Sequence, residues 1–147
     1  MAIPHTRWRR LAAAVLVPLA FALGAGCSNG AGPGSGSSGE LEPIGSEEAF
    51  EKRVLGAEGT MVVEFATRNC GWCAKLEPVL AELAPEYEGR AEFAKVYVDR
   101  LRGLGARYDL EGVPVVIVFR EGEEVGRIPG FHAKPELRGR LDRILEG

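Results

Sequence analysis

The 147-residue chain has little of several things that would narrow its chemistry at once. It carries only three cysteines, too few for a fold stapled by disulfides, and two of the three sit three positions apart. It carries only two histidines, so a structural zinc site with four ligands has few candidates to draw on. Its formal net charge is −3, which gives no electrostatic reason to expect nucleic-acid binding. Its longest apolar run, residues 11–23, is 13 residues long and broken by Pro18, whereas a membrane-spanning helix needs about 20. There is no internal repeat. What is present is ordinary for a folded protein: 46% hydrophobic and 27% charged residues, enough for one domain with a core.

The averages conceal an uneven distribution. Arg7, Arg9 and Arg10 precede the apolar run, and no acidic residue occurs in the first 26 positions. A basic start, a short apolar stretch and small residues after it describe a secretory signal peptide over residues 1–26. Gly24, Ala25 and Gly26 lead into Cys27, which resembles the lipobox of bacterial lipoproteins, where the cysteine receives lipid and becomes the new N-terminus. The match departs from the usual pattern in having Gly24 three residues before the cysteine and Leu23 one position further back. The alternative is a chance cysteine beside an ordinary cleavage site. Nine of the twelve residues 28–39 are Gly or Ser, so this stretch cannot bury a core and forms a flexible tether spanning about 20 Å. The expected organisation is a signal at 1–26, a lipidated cysteine and tether at 27–40, and a folded domain at 41–147. Three of the 18 basic residues and none of the 21 acidic ones lie in the signal, so the remainder carries net −6. A basic membrane-surface patch is therefore not the means of attachment.

Within the folded part, Ser46 is a helix cap followed by Glu47, Glu48 and Glu51, and Phe50 and Val54 share one face four residues apart. Residues 60–66 (TMVVEFA) predict a buried strand. A helix follows over residues 70–87, with Leu76, Val79, Leu80, Leu83, Ala84 and Tyr87 forming an apolar stripe and Pro78 inside it. Residues 91–99 alternate as a strand, residues 101–108 predict a short glycine-weakened helix, and residues 113–119 (VPVVIVF) are the most apolar strand. A turn at residues 121–124 returns the chain as a hairpin strand over 125–128, and Pro135 opens a last helix with Leu137, Leu141, Ile144 and Leu145 facing inward. Strand–helix alternation followed by a hairpin implies an α/β fold with a mixed sheet.

The chemistry concentrates at Cys70-Gly71-Trp72-Cys73. Cys70 falls between a strand and a helix, where unpaired backbone N–H groups and the helix dipole favour a thiolate. Cys73 lies one turn later, near enough to close a disulfide. Such a pair can attack a substrate disulfide through Cys70 and release the product through Cys73. Arg68 stands close enough in sequence to add positive potential, although a loop arginine is commonly just solvated.

With these landmarks the sequence resembles the thioredoxin family over about residues 44–145. Pro78 lies five residues after Cys73, where the family kinks its active-site helix. Val113-Pro114 matches the family's cis-proline loop, Gly130 matches a glycine after the last strand, and Glu64 and Lys95 stand where thioredoxins have a buried aspartate and its lysine partner. The resemblance implies a three-layer sandwich with a central mixed β-sheet flanked by helices. It implies a protein-disulfide oxidoreductase whose redox group is its own Cys70–Cys73 pair, with no other cofactor and no metal. Glu64 would take a proton from Cys73 and Lys95 would partner Glu64, while Gly71, Trp72, Val113, Pro114 and Gly130 would contact substrate. Against those roles stand a Glu64 turned to solvent, a Lys95 on an exposed strand position and a trans Pro114. The chain departs from the family at Trp72, which replaces a proline, at Asn69 and Ala66, which replace aromatics, and at Val115, which replaces a threonine. The residues between the cysteines influence redox poise, and family potentials span roughly −270 to −120 mV.

The expected partners are protein thiols and disulfides, a membrane electron donor or acceptor, and the membrane itself through the lipid on Cys27. A monomer in the bacterial cell envelope, outside the cytoplasm, is expected. Two other classes compete. One is copper binding or delivery by Cys70, Cys73 and His132; the other is a non-catalytic peptide-binding module using the groove around Pro114 and Trp72.

Overall fold

A computed structural model describes residues 41–147. The expected signal, Cys27 and tether lie outside the described residues. Strand β1 is only Pro43–Ile44. Ser46 then caps helix α1 (Glu47–Phe50), its Oγ accepting the Ala49 N–H at 3.0 Å, as the cap and the acidic first turn predict. This helix runs on as a π-helical segment, Glu51–Leu55. Strand β2 (Thr60–Ala66) leads to helix α2 (Gly71–Leu83), which passes through Pro78 and tightens into a 3₁₀ turn, Ala84–Tyr87. The α-helix therefore stops four residues short of the expected end, because Pro85 has no N–H to continue the ladder.

Strand β3 (Glu92–Tyr97), helix α3 (Arg102–Arg107), strands β4 (Val115–Arg120) and β5 (Glu123–Pro129) and helix α4 (Lys134–Glu146) complete the chain. The expected four-residue turn is tighter than that. Glu121 and Gly122, with φ of 52° and 81°, connect Arg120 directly to its partner Glu123, the two-residue hairpin turn whose twist suits antiparallel strands. Gly122 is needed twice over, since a Cβ there would also stand 2.1 Å from the Leu55 carbonyl oxygen.

The five strands form one mixed sheet in the order β1-β3-β2-β4-β5. The strand β2 pairs parallel with β3 and antiparallel with β4. Two apolar layers cover its faces. Met61, Val63 and Phe65 pack with Phe50, Val54, Ala94, Val96, Leu104 and Phe119. On the opposite face, Val62, Val116 and Val118 pack with Leu76, Leu80 and Leu83 of α2 and Leu137 and Leu141 of α4. Burial on both faces explains why β2 and β4 read as near-continuous apolar runs. Helices thus flank both sides of a mixed sheet, the expected α/β sandwich.

Phe50 is the hub of the first layer. It is fully buried and meets Phe65, Tyr108 and Phe119 edge-on, with ring centroids 5.8–6.0 Å apart. Truncation there leaves a cavity bounded by three rings that cannot collapse together. Phe50→Ala should lower unfolding stability by about 3–5 kcal/mol, measured by urea denaturation.

Candidate active site

The chain between β2 and α2 places the first cysteine at a helix start. Cys70 has extended backbone angles, φ −105° and ψ 109°, and is the N-cap of α2. Its Sγ accepts the backbone N–H of Cys73 at 3.1 Å, and its carbonyl oxygen accepts that of Ala74 at 3.1 Å. Cys70 and Cys73 form a disulfide with their Cα atoms 5.3 Å apart. Cys70 remains partly exposed while Cys73 is buried, so an incoming molecule meets Cys70 first.

The loop before β4 approaches this sulfur. The Val113–Pro114 bond is cis, and the Val113 carbonyl oxygen lies 3.9 Å from Cys70 Sγ. Gly130, at φ 79°, donates its N–H to the Pro114 carbonyl at 2.8 Å and so braces the loop from β5. A groove of about 510 Å³ runs along this bend between Asp109 and Gly130. The expected strand over 113–119 begins only at Val115 and runs one residue further, to Arg120. Gly71 and Trp72 lie exposed in the first turn of α2. Trp72 is 57% exposed and leans on Phe131, itself 37% exposed, with centroids 5.7 Å apart. The Lys75 ammonium caps the indole at 4.4 Å. Phe131 carries no signal in the sequence, since it stands alone in a loop and its partner is 59 positions away.

Between the sheet and α2 lies a buried ionisable cluster. Glu64 shares the α2-facing side of β2 with Val62 and is 1% exposed, and Lys95 is its register partner on β3 and 2% exposed. Neither side chain turns to solvent, so the exposed alternatives fall away. The Lys95 ammonium is hydrogen-bonded to Glu77 of α2. Glu64 Oε1 has no protein hydrogen-bond partner. Burial, reinforced by the nearby Glu77 carboxylate and opposed by Lys95, pushes the Glu64 carboxyl up to about 7. For Lys95 burial works against the charge, but bonds to Glu77 and Tyr97 outweigh it and hold the ammonium above the usual lysine value. Sequence reasoning missed Glu77, although its place one turn after Cys73 puts both on one helix face.

Arg68 is not aimed at Cys70. Its Nε donates to Asp99 Oδ2 at 2.9 Å, and this bond holds the Asp99 carboxyl below its usual value. His132 is likewise occupied elsewhere, with Nε2 3.0 Å from the Pro129 carbonyl oxygen and Nδ1 3.1 Å from Glu136. Among the described residues no group of three or more His, Cys, Asp or Glu side chains is placed to hold a metal ion, so the Cys70, Cys73 and His132 set of the competing copper reading is not brought together.

A family model described as thioredoxin matches residues 43–143. The chain belongs to the thioredoxin family. Curated thioredoxins of Staphylococcus aureus strains Mu50, MW2 and N315 are each 39% identical to it over 96 residues, covering 65% of this chain and 90% of the relative. With the Cys70–Cys73 disulfide in place, this is a thioredoxin-like redox domain and a disulfide oxidoreductase.

The raised Glu64 carboxyl has a consequence for stability. In the unfolded chain it ionises near 4.5 and in the folded one at about 7. Its protonated form therefore favours folding fully below 4.5, and that contribution is lost as pH rises through about 7. Glu64→Gln cannot lose it. In urea denaturation across this range the variant should gain on the parent by roughly 3 kcal/mol, and the gain should level off at higher pH.

Proposed function

We propose that the protein is a membrane-tethered thiol–disulfide oxidoreductase working outside the cytoplasm, exchanging its Cys70–Cys73 pair with protein substrates. The observation that carries the redox part is the Cys73 N–H directed at Cys70 Sγ, at the start of α2 and beside the cis-Pro114 loop. In the reduced form this N–H and the helix dipole favour a Cys70 thiolate. The thiolate attacks one sulfur of a substrate disulfide, forms a mixed disulfide and expels the other sulfur as a thiolate. Cys73 gives its proton to the Glu64 carboxylate, and the resulting thiolate attacks Cys70 Sγ. The second substrate sulfur leaves, two substrate thiols result, and the Cys70–Cys73 disulfide is restored. The reverse sequence oxidises a substrate dithiol.

A carboxyl titrating at about 7 suits this exchange, since it is partly ionised near neutral pH and both accepts and returns a proton. Lys95 supports the ionised form of Glu64. Val113, Pro114 and Gly130 line the side of Cys70 along which an extended substrate backbone runs, and Gly71 leaves room for it. Trp72, with Phe131 behind it, offers an exposed aromatic surface to apolar substrate side chains.

The setting rests on the sequence: an arginine-bearing apolar leader, Cys27 after small residues, and a Gly/Ser tether. A tethered domain of this kind exchanges electrons with a membrane carrier, which supplies two for each substrate disulfide reduced or accepts two for each one formed. Cys70→Ser should abolish reduction of insulin disulfides in a turbidity assay, and retained turnover would overturn the redox reading. Mass spectrometry of the mature protein should find a diacylglyceryl group on Cys27, and a soluble product beginning elsewhere would overturn the tether while leaving the redox reading intact.

A further inference from the structure

The buried cluster beneath α2 holds a third charged residue, Glu77. Two carboxylates, Glu64 of β2 and Glu77 of α2, lie around one buried ammonium, Lys95 of β3. Glu77 is hydrogen-bonded to that ammonium, while Glu64 Oε1 has no protein partner. The Glu77 side chain is 25% exposed and reaches water, whereas Glu64 is buried. Cys73 stands one turn before Glu77 on the same face of α2.

We propose that Glu77 is a positioning residue for the proton on Glu64: by engaging Lys95 from the solvent side it takes part of that buried positive charge, and so keeps Glu64 able to hold a proton. Without Glu77 its repulsion would be gone and the ammonium would act more fully on Glu64, so the Glu64 carboxyl would ionise at lower pH, with burial still holding it above the ordinary glutamate value. With it, the negative charge of Glu77 and the divided ammonium act in the same direction. The groups facing Glu64 are few. Strand β3 presents Lys95 with Tyr97 beside it, α2 presents Glu77, and β4 presents the apolar Val116 as register partner. The step affected is one proton transfer, from the Cys73 thiol to the Glu64 carboxylate and back, with no electrons moved. The proposal rests on the reading above of Glu64 as the proton partner of Cys73.

The test follows the Glu64 carboxyl carbon of the reduced protein by carbon-13 NMR against pH. Glu77→Gln removes the charge but keeps an oxygen that accepts from Lys95, and Glu77→Ala removes both. In either variant the Glu64 midpoint should fall by about one pH unit. A merely structural role for Glu77 would change stability without moving this midpoint, so midpoints equal to the parent's in both variants would overturn the proposal. A parallel arm measures alkylation of Cys73 against pH in Cys70→Ser. Adding Glu64→Ala should remove the inflection near neutral pH. If the profile is unchanged, the Glu64–Cys73 reading falls, and the NMR titration still decides whether Glu77 governs the Glu64 proton.

Discussion

The amide of Cys73 points at the Cys70 sulfur because of where two elements stop and start. The strand β2 ends at Ala66 and α2 begins at Gly71, which leaves Cys70 as the residue whose backbone is still extended while its side chain already faces the first helical turn. A helix start has N–H groups that no helical carbonyl can take. Elsewhere in this chain a hydroxyl fills that role, as Ser46 does for α1. At α2 a sulfur fills it, so the same geometry that ends the helix neatly also prepares a nucleophile. The cis-Pro114 loop, braced by Gly130, brings the Val113 carbonyl to that atom, and Glu64 and Lys95 are buried on the sheet face that α2 covers.

Burial sets the protonation of the cluster beneath α2. The face of β2 that carries Glu64 also carries Val62, and α2 lays Leu76, Leu80 and Leu83 over it. An apolar surround penalises a bare carboxylate, and one ammonium shared between two carboxylates only partly relieves that penalty. The result is an acid matched to neutral conditions at a point where the chain could have placed a valine. The cluster is destabilising once ionised, which is the usual relation between a tuned site and the fold that carries it.

How far the sequence discloses this depends on how local each cause is. The limits of β2 are legible because six of its seven residues are buried and leave a largely apolar run, and α2 is legible from its stripe of leucines. The end of α2 is obscured because the stripe continues to Tyr87 through a 3₁₀ turn that also buries it. Strand β1 is illegible, since two residues have no period to detect. Cys70, Cys73 and Pro114 stand out because their chemistry is written in their own identities and spacing. Glu77 and Phe131 do not, because what matters about them is a contact with Lys95 or Trp72 that exists only once helix, sheet and loop are packed together.

The bulge in the terminal hairpin bears on how copies of this domain behave side by side. The register of β4 and β5 shifts between Val118 and Phe119, leaving Val125 unmatched. The strand β5 also carries Glu123, Glu124, Arg127 and Pro129, and the opposite border of the sheet is the two-residue β1. Charges, a proline and a bulge make a sheet border a poor template for another strand, and a very short border strand has the same effect. Such a domain resists strand-to-strand self-association, which matters most for molecules concentrated on a surface.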